Sequence, residues 1–222
     1  MQVEKIAIRK KLLEIARSLF FRKGYDAVTM REIAQLTGIG LGSIYTYFKS
    51  KEQILKEVLS PFFNNMQSSM RAHFAINKEL YTPSFFTTKE GMLASMQMLL
   101  NVVDDYQEEL RFLFTYGHQT KFCNYFHDLI EYYYKESCLF MQEVGKKDPS
   151  LCTDFSKGLL YLMNEMWISM IRIFVCNRDM NKEERYLFLT EYVTFCTAGW
   201  DTLMSENNKI SCNCVYETYS NS

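Results

Sequence analysis

Apolar residues return at helical spacing over most of the chain, with polar residues between them. In residues 4–23 the apolar set is Ile6, Leu13, Ala16, Leu19 and Phe20, interleaved with basic side chains, which predicts an amphipathic helix. Gly24 supplies its C-terminal stop. A second helix is predicted to begin at Thr29, where three start signals coincide. The Thr29 hydroxyl can cap the backbone, Glu32 completes a capping box, and Val28 can staple onto Ile33. Gly38 ends this helix after Leu36 and Thr37. Ile39 and Ile44 then bracket a third helix starting near Gly40. Ser50 and Gln53 form another capping box, opening a helix whose stripe runs Ile54, Leu55, Val58, Leu59, Phe62. Pro61 is expected to kink or end that helix, because proline removes a backbone donor.

Four further helical patterns follow. Residues 88–113 carry Leu93, Met96, Leu100 and Val103 on one stripe, and residues 121–144 carry Phe122, Phe126, Leu129, Tyr133 and Phe140. Asp148 and Pro149 read as a cap and first-turn proline opening a long segment to residue 176. Asn181 precedes a last helix with Phe188, Tyr192, Phe195, Gly199 and Leu203 aligned. The division expected is a small helical head over 1–50, a larger helical body over 51–206, and a poorly ordered polar tail over 207–222.

Composition supports an all-α fold. Gly (9) and Pro (3) are scarce while Met (13), Tyr (15) and Phe (17) are plentiful, so turn formers are few. A hydrophobic content of 48% suffices for a core and argues against global disorder. Net charge is −1 overall, yet residues 1–60 hold eleven Lys and Arg against six acids. A basic head on an acidic body is the asymmetry expected when one part meets phosphates. The cysteines all lie beyond residue 122, and residues 1–11 are charged without an apolar signal core, so a reduced, cytoplasmic protein is expected. The run 159–176 is apolar almost all round. Asn164, Glu165, Ser169 and Arg172 interrupt it, which argues against a membrane span and for a helix buried on two sides, one against a partner subunit. With three His, no nucleophile motif and no phosphate-binding glycine loop, no enzyme, cofactor or metal is expected.

The second and third predicted helices have the proportions of a DNA-reading hairpin. Ile33, Ala34, Ile39 and Ile44 would form its core, leaving Leu41, Gly42, Ser43, Thr46 and Tyr47 outward. Gly42 admits a close approach, Ser43 and Thr46 can hydrogen-bond bases or phosphates, and Leu41 can touch a thymine methyl. Thr29, Tyr45, Tyr47 and Lys51 suit phosphates, and Arg31 and Gly40 complete the candidate contact set. The motifs Ala16-x-x-Leu19-Phe20-x-x-x-Gly24-Tyr25 and Thr29-x-x-x-Ile33-Ala34-x-x-Thr37-Gly38-Ile39 resemble the N-terminal domain of the tetracycline-repressor (TetR) family. The run Gly42-Ser43-Ile44-Tyr45-x-Tyr47-Phe48-x-Ser50-Lys51-Glu52 is similar to that family's recognition helix and the start of its fourth helix. The resemblance implies an all-helical homodimer on a pseudo-palindromic operator, with a C-terminal domain sensing a small ligand. Gly40 stands where the family often has a small hydroxyl residue, and Leu41 occupies a variable position, so the operator sequence does not carry over.

For the C-terminal domain the residues themselves offer candidates. Glu165 and Arg172 lie seven apart, about two helical turns, and share a face. They either anchor a polar effector, with Tyr161 and Trp167 as aromatic walls, or pair with a neighbouring helix or partner subunit. The last two long helices, with Ala198 and Gly199 permitting close approach, are the dimerisation candidates. The expected function is a dimeric repressor released from double-stranded DNA by a small-molecule effector. A ligand-independent activator or architectural protein whose body binds a protein partner is the alternative.

Overall fold

The computed structural model describes residues 2–80 and 84–205, and every regular element in them is a helix. The α-helices are α1 (Gln2–Lys23), α2 (Met30–Thr37), α3 (Leu41–Ile44), α4 (Lys51–Leu80), α5 (Ser84–Thr87), α6 (Lys89–Asp105), α7 (Gln107–Tyr116), α8 (Tyr125–Lys147), α9 (Lys157–Cys176) and α10 (Lys182–Met204). A short 3-10 turn, Gly117–Gln119, follows α7. The fold class is therefore all-α, as the apolar periodicity predicts, with a helix-turn-helix near the N-terminus. The proposed polar tail lies outside the described residues.

Local chemistry accounts for most boundaries. Gly24 follows α1 with φ 83° and returns its N–H to the Phe20 carbonyl (2.9 Å), ending the helix in the left-handed region that glycine tolerates. At α2 the Thr29 hydroxyl accepts the Glu32 N–H (3.1 Å). The expected box is only half made there, because the Glu32 carboxylate pairs with Lys23 Nζ at 2.5 Å instead of returning to the backbone. The box at Asn181 is complete: its side chain accepts from Glu183 and Glu184, and Glu184 returns to the Asn181 N–H (2.8 Å).

Three boundaries differ from the periodic pattern. The pattern over 88–113 divides at Tyr106, where the backbone leaves helical geometry (φ −124°, ψ 34°) and the ring packs against Phe62 at 5.7 Å. Residues 121–124 form turns before α8, with the Thr120 hydroxyl donating to Gly117 O (2.8 Å) and accepting from Phe122 N (3.0 Å). Asp148 opens no helix. Its carboxylate accepts from the N–H and hydroxyl of Ser150, closing a local turn that competes with a cap, and Ser156 caps α9 by accepting from Leu159 N (3.2 Å). Pro61 neither ends nor interrupts α4, where it is exposed.

The chain divides into two compact units. The first combines Met1–Ser68 with Val102–His127, and the second combines Ser69–Asn101 with Asp128–Ser222. In the first, Leu12, Ala16, Phe20, Val28, Ile33, Ile44, Ile54, Leu55, Leu59 and Phe62 are wholly buried. A large side chain removed from water this fully contributes about 1.5–3 kcal/mol. In the second, Phe86 meets Phe140 edge-on (5.0 Å) and Trp200 (5.4 Å), and Trp200 also meets Phe155 (5.4 Å). Cys152 N–H donates to Met204 O, fastening the segment before α9 to the end of α10.

Candidate nucleic-acid interface

The hairpin of α2 and α3 rests on a small apolar core. Ile33, Ala34, Ile44 and Phe48 are buried, whereas Ile39, expected in that core, is only half-buried. Gly38 turns the chain between the helices at φ 82°, sending its N–H to Ala34 and Gln35 carbonyls. Thr37 is buried and donates its hydroxyl to Ile33 O (2.6 Å), while Lys11 Nζ donates to Thr37 O (2.9 Å). That lysine satisfies a helix-end carbonyl from another helix, a role the periodic pattern gave no hint of. α3 itself is one turn long. It continues as a tight turn through Tyr47, with the N–H groups of Tyr47 and Phe48 both donating to Ile44 O at 3.0 Å.

This frame leaves most of the expected contact residues exposed. Thr29, Arg31, Gly40, Leu41, Gly42, Ser43, Tyr45 and Thr46 are exposed, and Tyr47 is half-buried. Leu41 and Tyr45 stand out as large side chains with 39% and 50% of their surface open to water. The Thr46 hydroxyl donates to Ser43 O (2.7 Å), which leaves it free only to accept.

Lys51 is placed differently from a simple phosphate ligand. Its Nζ donates to the carbonyls of Tyr25 and Val28, both at 2.8 Å, and lies 4.1 Å from the centre of the Tyr25 ring. Burial pulls its pKa below the ordinary lysine value, opposed by the charge of Asp26. The same burial, with Glu52 and Asp26 nearby, raises the Tyr25 pKa. Other head cations are also engaged internally. Arg9 pairs with Glu57 and lies over the Phe48 ring, Lys23 pairs with Glu32, and Arg17 holds Glu109 through Nε (3.0 Å) and Nη2 (2.8 Å). Arg31 and Lys49 are exposed and form no ion pair among the described residues.

The segment from α7 to residue 122 buttresses the head within the first unit. Glu109 is 6% exposed, and Phe112 packs on Phe21 at 5.3 Å. Gln119 accepts the Asp26 N–H (3.2 Å), and Lys121 pairs with Glu52 (2.6 Å). These partners lie up to 93 residues apart, so no local pattern announces them.

The surface and its frame agree with what the chain is similar to. Residues 12–58 match the model of the family described as bacterial regulatory proteins, tetR family. The N-terminal domain is of the tetR family. The protein is a DNA-binding transcriptional regulator. Over 171 residues it is 28% identical to the HTH-type transcriptional repressor KstR2 of Rhodococcus jostii, covering 73% of this chain and 78% of that protein. A 46% identity to KstR2 of Mycolicibacterium smegmatis is confined to 56 residues, 25% of this chain and 27% of that one. Two solved structures share the TetR-type fold: a probable transcriptional regulatory protein, RHA5900 (TM-score 0.56, 21% identity, 86% of this chain and 97% of that one), and a regulator from Aquifex aeolicus (TM-score 0.51, 22% identity, 89% and 99%).

The effector candidates on α9 are not gathered at one site. Tyr161 and Glu165 line an open groove with Tyr134, Lys157, Gly158 and Leu162, and the Tyr134 and Tyr161 rings meet edge-on at 5.9 Å. Trp167 and Arg172 are not among its lining residues. Glu165 and Arg172 do share a face, but it is the exposed face of α9, opposite Leu160, Ile168, Ile171, Phe174 and Val175. Neither forms an ion pair among the described residues, so the bridge to a neighbouring helix of the same subunit is not made. α9 is long and apolar enough to span a membrane by length and composition, and its exposed face carries these two charges.

Proposed function

We propose that the protein is a dimeric, cytoplasmic repressor that holds a pseudo-palindromic operator with the α2–α3 hairpins of two protomers and lets go when a small effector binds its helical body. The observation that carries the reading is the exposed set Leu41, Ser43, Tyr45 and Thr46, standing on a core in which Ile33 and Ile44 are wholly buried. Thr29, Arg31, Gly40, Gly42, Tyr47 and the third proton of Lys51 complete the contact set, mostly toward phosphates. Repression is supported by the relatives that carry the word repressor in their names.

The dimer reading rests on uncovered apolar surface of α9 and α10. Leu162 is 51% exposed, Leu187 58% and Phe195 64%, and they fall on stripes that also hold Glu165, Ser169 and Arg172 on α9 and Ala198 on α10. Large apolar side chains left uncovered on two packed helices suit an interface between protomers. An effector acts only through different affinities for two arrangements of the heads. Tyr161 and Glu165 are the α9 candidates for contacting it, with Trp167 and Arg172 left to other roles.

The test has three measurements on the full chain. Analytical ultracentrifugation should give a dimer, a genomic fragment selected by the protein should bind at one dimer per site, and a compound that raises the melting temperature should release that fragment. A monomer bound to DNA without sequence preference would overturn the proposal.

A further inference from the structure

Which bases the hairpin prefers can be argued from the side chains that α3 offers. α3 and its continuing turn present Leu41, Ser43, Tyr45, Thr46 and Tyr47, with Gly42 adding no side chain. None of these carries a guanidinium, ammonium, carboxamide or carboxylate. Guanine is read chiefly by Arg or Lys, adenine by Asn or Gln, and cytosine by Asp or Glu, whereas thymine is read by apolar contact with its methyl group. The Thr46 hydroxyl proton is engaged by Ser43 O (2.7 Å), so Thr46 offers a base only an acceptor. The aliphatic group left on this surface is Leu41, 39% exposed.

The cations around the hairpin do not change this. Lys11 is held by Thr37 O and Lys51 by two backbone carbonyls. Arg31 belongs to the first turn of α2, and Lys49 follows the buried Phe48, so both flank α3. We propose that the base pairs beneath α3 are A·T pairs and that Leu41 packs on a thymine methyl in each half-site. This rests on the operator-binding reading above and adds the chemistry of the bases read. Arg31 leaves any guanine to the edge of the footprint.

The test is a selection of duplexes from a randomised pool by the full-length protein, followed by replacement of single thymines with uracil, which removes only the methyl group. Burying one such carbon is worth about a fourfold change in binding, and about fifteenfold when both half-sites are altered together. The expected result is A·T pairs beneath α3 and one uracil-sensitive position per half-site. Leu41→Ala should make uracil and thymine equivalent there, and Leu41→Arg should move the preference at that position toward guanine. G·C pairs selected beneath α3, or equal uracil sensitivity in the parent and Leu41→Ala, would overturn the inference while leaving operator binding intact. Enrichment of no duplex would overturn both.

Discussion

The ammonium of Lys51 has three protons, and the fold takes two of them for the carbonyls of Tyr25 and Val28. Replacing Lys51 with Met keeps the stem and removes the donors, so urea unfolding without DNA should show a loss of about 2 kcal/mol. A variant at this position that fails to bind DNA would therefore report on folding as well as on phosphate contact. Tyr125 offers a test of pH dependence. Burial raises its pKa well above the ordinary 10.0. The unfolded chain then loses the phenol proton first as pH rises, so the contribution is fully present below pH 10 and lost above it. Urea midpoints measured at about pH 9 and about pH 11 should fall more for the parent than for Tyr125→Phe, within the range where ordinary tyrosines ionise. At this scale the exposure of Leu41, Ser43 and Thr46 was legible, because they fall off the apolar stripe. The engagement of Lys51 and Lys11 was not, because a lysine's reach across space leaves no local mark.

Helix ends were legible wherever the signal is local and has no local competitor. Thr29, Ser50 and Asn181 accept backbone N–H groups as their sequence context predicts. Glu32 departed because Lys23 offered a charge, and Asp148 because Ser150 offered two closer donors. The two positive-φ glycines give a comparison at the same scale. Gly24 and Gly38 have nearly equal φ, so alanine at either incurs the left-handed penalty of about 1–2 kcal/mol. A Cβ at Gly24 would also fall 2.7 Å from Tyr116, whereas at Gly38 it meets nothing within 4 Å. Gly24→Ala should consequently lower the melting temperature by more than Gly38→Ala, and loosen α7 from α1. Equal shifts would show that the Tyr116 ring moves aside without cost. Arg17→Ala bears on the same junction: it leaves the Glu109 carboxylate buried without its guanidinium, with an expected loss of about 1–2 kcal/mol given that Arg17 is itself half-exposed.

For the whole molecule, helical class and the α2–α3 hairpin follow from periodicity and caps. The grouping of residues 102–127 with the head does not, since it depends on pairs such as Arg17 with Glu109 that are distant in sequence. α9 shows the same limit. Its nearly uniform apolar run could not say that Glu165 and Arg172 lie opposite the buried stripe, because orientation is decided by what the rest of the fold covers. Phe195→Glu, placed on that uncovered surface, should shift sedimentation from dimer to monomer and weaken operator binding at least tenfold, with the melting of a single subunit little changed. The basic head has one more implication. Because Arg9, Lys11, Arg17, Lys23 and most of Lys51 hold the head together, only about half of its eleven basic side chains remain for the featureless backbone of random DNA. If the proposed operator binding holds, such a head should linger less on wrong sites than one with every basic side chain free, so less of the protein would be sequestered by the bulk of a chromosome.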